Sequence, residues 1–128
     1  MASGTAEISI AKSPDEVWKV VGDFGGLAQW MPGMEACDVD GDVRKIRTMG
    51  LEIHEQLREL DDAGRRISYA IVQSPMPLQL HLATITVTPE GDGSHVTWAV
   101  EVEPDEMLGA FQPIYQQSLD ALKTHLGG

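Results

Sequence analysis

The sequence has a single cysteine, Cys37, so no disulfide can form within the chain and a reducing compartment suits it. Positive charge is scarce. Nine Lys and Arg stand against twenty Asp and Glu, giving a net charge of −11. Such a chain has no long-range attraction for phosphate backbones or anionic lipid heads. Its basic residues are dispersed or in isolated pairs (Arg44-Lys45, Arg65-Arg66), with no aromatic-and-basic platform beside them. Nucleic acid is therefore not an expected partner. No apolar run approaches the ~20 residues that span a bilayer. The opening "MASGTAEISI" lacks the basic-then-apolar order of a secretory leader. The expectation is a cytoplasmic protein without membrane insertion. No pair of His, Cys or Asp has metal-ligand spacing within one element, no Ser-His-Asp order is visible, and "DFGG" follows no P-loop pattern. Neither a metal nor a cofactor is implied.

What is present suits one globular domain over 1–128, with 42% apolar and 23% charged residues. Thr5 to Ile10 alternates as a strand does. Ser13-Pro14-Asp15-Glu16 then reads as a helix start, with Ser13 as cap, Pro14 at the first position and Glu16 completing a capping box. Val17, Trp18, Val20 and Val21 supply the buried stripe of that short helix. Leu27 to Met31 suits one further helical turn before Pro32. A meander of antiparallel strands follows, over Met34 to Val39, Val43 to Met49, Leu51 to Leu60, Arg65 to Gln73, Leu78 to Thr88 and His95 to Val102. Turn residues stand at the joints (Asp40-Gly41-Asp42, Asp61 to Gly64, Glu90 to Gly93), and Ser74-Pro75-Met76-Pro77 makes a stiffer connection. From Leu108 the period changes. Phe111, Tyr115, Leu119, Leu122 and Leu126 recur at three and four residues, the spacing of an amphipathic helix. Pro113 within it should kink the helix or place its true start nearby.

The predicted fold class is thus α+β, a seven-stranded antiparallel sheet covered by a long C-terminal helix. With two Phe, three Trp and two Tyr, packing permits a cavity between helix and sheet without demanding one. The order of elements resembles the START-like, birch-pollen-allergen-like helix-grip fold. "SPDEVWKVVGDFGGLAQWMPG" at 13–33, "HEQLRELDDAGRRISYAI" at 54–71, "LATITVTPEGDGSHVTWAVEVEP" at 82–104 and the terminal helix are together similar to the SRPBCC superfamily, in its bacterial polyketide cyclase/dehydrase and lipid-transport branch. The resemblance covers nearly the whole chain. It implies a deep cavity for a hydrophobic or aromatic small molecule (lipid, polyketide or isoprenoid-like), and it carries no universal catalytic motif. The chain departs from the usual pattern at Gln56, in "EQL" where members carry Arg, so any role of that Arg does not transfer.

Alternation nominates the residues that would line such a cavity. In "LEIHEQLR" one face holds Leu51, Ile53, Glu55 and Leu57, an apolar row broken by a carboxylate. Ile67, Tyr69 and Ile71 form the next inward row. In the following strand both faces are mixed, and continuation from Ile85 and Val87 turns His81 and Ala83 inward. Val96, Trp98, Val100 and Val102 complete the sheet face, with Trp18 and Trp98 also reading as core. Phe111, Tyr115 and Leu119 face it from the helix. Trp30 and Met31 would form a mouth with Met76. Glu55 has two readings: a desolvated group acting as acid, base or hydrogen-bond acceptor for a ligand, or a carboxylate that pairs with a buried Arg or backbone donor or simply sits at a rim. His81 reads as a proton shuttle near Glu55 or as a packed histidine, whereas His54, His95 and His125 fall at solvent-facing positions or ends. Tyr69 and Tyr115 would orient a polar ligand group or simply pack.

Three functions follow in order of preference. The first is binding of a small hydrophobic or aromatic ligand. The second is polyketide cyclisation, aromatisation or dehydration with Glu55 or His81 moving protons. The third is a stress-response interaction module with a collapsed cavity. Monomer and homodimer both stay open.

Overall fold

The structure, a computed structural model, describes residues 2–128. Its elements are β1 (Ala2–Ile10), α1 (Pro14–Val21), a 3-10 turn (Leu27–Gln29), β2 (Met34–Asp40), β3 (Val43–Thr48), β4 (Leu51–Asp61), β5 (Arg66–Gln73), β6 (Leu80–Glu90), β7 (Gly93–Glu103), a second 3-10 turn (Asp105–Met107) and α2 (Leu108–Leu126). The strands form one antiparallel sheet in the order β1-β7-β6-β5-β4-β3-β2. Each neighbour from β2 to β7 is also the neighbour in sequence, and β1 closes the far edge on β7. This is the helix-grip α+β fold anticipated above.

Local chemistry sets the boundaries. Ser13 caps α1, its Oγ accepting from Glu16 N at 3.2 Å and donating to Glu16 Oε1 at 3.1 Å. Gly127, at φ 81°, ends α2 in the left-handed conformation with its N–H directed at Lys123 and Thr124. The helix begins at Leu108 and runs through Pro113. β1 starts earlier than its alternation indicated, because Ala2, Ser3 and Gly4 continue the ladder opposite Val102, Glu101 and Val100. The β3–β4 connection is a two-residue hairpin. Met49 (φ 52°) and Gly50 (φ 76°) both take positive φ, as a turn that matches strand twist requires. β4 and β5 slip register twice, between His54 and Glu55 and between Leu57 and Glu59. Irregularities of this kind bend a sheet locally and re-aim side chains.

The concave face carries the core. Burial in β6 and β7 alternates strictly, with His81, Ala83, Ile85 and Val87 inward beside Val96, Trp98, Val100 and Val102. α1 packs on β6 and β7, and α2 lies against β1 and β7. Phe111, Tyr115, Leu119 and Leu122 make its buried stripe. Because α2 is seated on that end of the sheet, its other flank stands off from β3, β4 and β5. No helix among the described residues is long and apolar enough to cross a membrane.

Candidate functional site

The gap between α2 and β3–β5 is a cavity of about 240 Å³. Thr48, Met49, Leu51, Ile53 and Glu55 line it from the β3–β4 hairpin, and Ile71 and Met76 from β5 and the loop after it. Pro32 and Gly33 close one side, while Ala110, Phe111, Ile114, Tyr115, Gln117 and Ser118 come from α2. Seven of the residues nominated from the sequence are on this wall: Leu51, Ile53, Glu55, Ile71, Met76, Phe111 and Tyr115. Trp30, Tyr69, His81, Ala83, Trp98 and Leu119 are buried behind it in packed core, and Met31 and Leu57 are half-buried against that core. Trp18, expected as core, is half-buried and donates its indole N–H to Asp62 Oδ1 at 3.0 Å.

Glu55 is the charged residue on the wall, and it is 6% exposed. Its partner is Arg44, directly opposite on β3 and itself 3% exposed. Arg44 Nε donates to Glu55 Oε1 at 2.8 Å, and Nη1 donates to the Phe24 carbonyl at 3.0 Å. The guanidinium lies between two rings, 4.5 Å from the Phe24 centroid and 4.7 Å from that of Tyr69. Such contacts contribute roughly 0.5–2 kcal/mol each as solvent is excluded. Burial pushes the Glu55 carboxyl up from its ordinary value, and the charge and hydrogen bond of Arg44 oppose that. An uncompensated guanidinium at this depth would be far costlier than the pair, so the two are ionised together. Of the two readings of Glu55, the structure has the buried Arg, and it also leaves the carboxylate on the cavity wall. Arg44 is the functional candidate that sequence reasoning missed.

A second polar chain runs behind Tyr115. The Ile71 N–H donates to His81 Nδ1 at 3.2 Å, which assigns the ring proton of the neutral imidazole to Nε2. Nε2 then donates to the Tyr115 hydroxyl at 2.8 Å. Desolvation lowers the His81 pKa to about 4, so the ring is neutral across the physiological range. The Tyr115 hydroxyl donates in turn to Tyr69, which also accepts from Trp98 Nε1 at 3.2 Å. Burial raises both tyrosine pKa values well above the usual phenol range. His81 thus reaches the cavity only through Tyr115, and its imidazole is not hydrogen-bonded to Glu55.

Aromatic rings are few, yet they concentrate here. Tyr115 stacks on Trp98 at 4.3 Å and 7°, Trp98 meets Trp30 at 6.1 Å, and Phe111 packs on His81 at 4.9 Å and on Tyr115 at 5.9 Å. These contacts hold the wall rigid around its polar groups. Among the described residues no three His, Cys, Asp or Glu side chains come together as a metal site needs.

With this geometry in view, the whole chain can be matched to known proteins. Residues 1–127 match the family described as polyketide cyclase / dehydrase and lipid transport. The chain belongs to that family. Its fold is shared with XoxI from Bacillus cereus at 30% identity and a TM-score of 0.93, covering 98% of this chain and 96% of that one. The di-domain ARO/CYC BexL, from the BE-7585A biosynthetic pathway, shares the fold at 21% identity and a TM-score of 0.84, over 98% of this chain and 46% of that one. Ara h 8.0201 shares it at 16% identity and a TM-score of 0.80, over 98% of this chain and 97% of that one. No curated protein matches the sequence. Within the polyketide cyclase/dehydrase and lipid-transport family, then, this member presents a small apolar cavity with one ion-paired carboxylate on its wall.

Proposed function

We propose that the protein binds a small, mainly apolar molecule in the cavity between α2 and β3–β5, and acts as a carrier or sensor of it rather than as a catalyst. The cavity itself carries this reading: about 240 Å³, apolar on most of its wall, and framed by packed aromatic rings. A cavity of ~150 Å³ holds benzene, so by proportion this one suits roughly ten non-hydrogen atoms. It lies below the ~300–1,000 Å³ typical of drug-sized sites. A single-ring aromatic or a short isoprenoid-like molecule fits that volume, whereas a diacyl lipid or an extended polyketide chain does not.

The acid–base alternative draws less support from the site. Glu55 is held by Arg44, and His81 stands behind Tyr115 with its Nδ1 already accepting from the chain. A proton shuttle needs direct or one-water reach to the reacting group. The lone Cys37 suits a reducing, cytoplasmic setting for a diffusible binder.

Native mass spectrometry of the freshly purified protein tests the proposal. The expected result is a discrete co-purifying mass of small-molecule size that is lost on denaturation. A chain that is repeatedly empty, and that shows no chemical-shift changes at cavity residues with any single-ring aromatic or short isoprenoid, would overturn it.

A further inference from the structure

Of the wall's polar side chains, Gln117 lies at the exposed rim; the others are all of one kind. The Thr48 hydroxyl donates to the Gly33 carbonyl at 3.0 Å, and the Ser118 hydroxyl donates to the Ile114 carbonyl at 2.7 Å. The Tyr115 hydroxyl accepts from His81 and donates to Tyr69. Glu55 engages Arg44 through Oε1, and an ionised carboxylate has only lone pairs to offer. Each of these side chains on the wall has its proton committed to the protein, or has none. What they present to the cavity is acceptor capacity.

Charge narrows the choice further. Arg44 already neutralises Glu55, and its guanidinium is enclosed by Phe24 and Tyr69. A cationic ligand would add an unbalanced positive charge to a desolvated site, and an anionic ligand would face the like charge of the Glu55 carboxylate there. Building on the cavity reading above, we infer that the ligand is a neutral hydroxyl compound, a phenol or alcohol on a small apolar body, whose O–H is read by the Glu55 carboxylate on the buried part of the wall. The ion pair fixes the carboxylate for this purpose: the guanidinium sets its orientation from one side and leaves it facing the cavity on the other.

Four ring compounds of a size the cavity admits separate the possibilities: p-cresol, p-xylene, benzoate and benzylammonium. Titrations are followed by amide and methyl chemical shifts at Ile53, Ile71 and Phe111. p-Cresol is expected to bind about ten- to a hundredfold more tightly than p-xylene, the range for a hydrogen bond to a charged acceptor. Benzoate and benzylammonium are expected to bind more weakly than p-xylene. The double variant Arg44→Met/Glu55→Leu removes the acceptor and its counterion together, so no buried charge is left unpaired and folding is preserved. In it, the preference for p-cresol should vanish while p-xylene still binds. Equal affinity for p-cresol and p-xylene in the unaltered protein, or tightest binding of either ion, would overturn the inference and leave the cavity reading intact. Preference for p-cresol persisting in the double variant would also overturn it. Failure of all four to bind would remove the cavity reading itself.

Discussion

Replacing Arg44 by Met takes away the hydrogen-bonded counterion of a carboxylate that is 6% exposed. Breaking a buried pair from one side costs about 3–5 kcal/mol, chiefly because the surviving charge is stranded. Glu55 can escape by taking up a proton, which sets a ceiling on that part of the loss. From its ordinary value of 4.5, protonation at pH 7 costs about 3.4 kcal/mol at ~1.36 kcal/mol per unit. For 128 residues, an unfolding entropy of ~2.1 cal/mol/K per residue gives about 0.27 kcal/mol/K, so 3–5 kcal/mol lowers Tm by roughly 11–19 °C. The sign of the pH dependence is distinctive. Burial already holds the folded-state pKa of Glu55 above the unfolded value, and losing Arg44, which opposes that, raises it further, so the variant's folded form keeps the extra proton to higher pH and its stability falls more as pH rises. The deficit relative to the unaltered protein should therefore grow by up to about 2.7 kcal/mol between pH 5 and pH 7. Chemical denaturation at the two pH values measures it. Arg44→Met/Glu55→Leu should recover most of the loss, since a packed apolar pair replaces the ionic one. A deficit below about 1 kcal/mol that does not change with pH is the behaviour of a solvated surface pair, and it would refute the reasoning.

Other perturbations follow from the same structure. His81 has a folded pKa of about 4 against an ordinary 6.5, so its contribution is fully present above pH 6.5 and is lost as pH falls toward 4, on the order of 3 kcal/mol in all. His81→Gln should flatten the difference in stability between pH 7 and pH 4.5, as read by urea denaturation at each pH. Ser118→Leu places an apolar side chain into the cavity from α2. It should abolish aromatic ligand binding by titration while Tm holds or rises, because the lost hydroxyl bonds only to its own helix. Met49 is 74% exposed at φ 52°, where Asn is better tolerated, so Met49→Asn should raise Tm by a few degrees, about 0.5–1 kcal/mol.

Alternation located the inward sheet face correctly even in the ambiguous strand, because β6 keeps a strict period of two between β5 and β7. Extending Ile85 and Val87 back to His81 required no knowledge of the partner strands. The α2 side of the wall was harder to see. A periodic search finds the most apolar stripe, here Phe111, Tyr115, Leu119 and Leu122, and that stripe is the core. The cavity is bordered by the adjacent stripe of Ala110, Ile114, Gln117 and Ser118, which is mixed in polarity and partly exposed. Residues lining a cavity at its rim resemble surface in the sequence, since they lack the packed neighbours that give a core its continuous apolar pattern.

Arg44 was hidden for a different reason, and a recoverable one. Beside Lys45 it reads as half of a basic pair, yet it sits two residues before Ile46 and so shares that buried residue's face. What decides its role is the length of the following turn. A strand taken through Met49 leaves Gly50 alone as the connection, and then no register places Arg44 opposite Glu55. A two-residue turn at Met49-Gly50 pairs Thr48 with Leu51, Ile46 with Ile53 and Arg44 with Glu55. Gly50 following an exposed residue invites such a turn, since the type I′ hairpin formed here needs positive φ at both central positions and Met49 is there at some cost. The carboxylate that interrupts an apolar row in β4 is therefore matched, across a strained hairpin, by a guanidinium that interrupts the row in β3. Neither charge is tolerable at that depth without the other. The turn that brings them together also carries Met49 to the cavity mouth, so the geometry of the ion pair and the shape of the entrance are set by the same two residues.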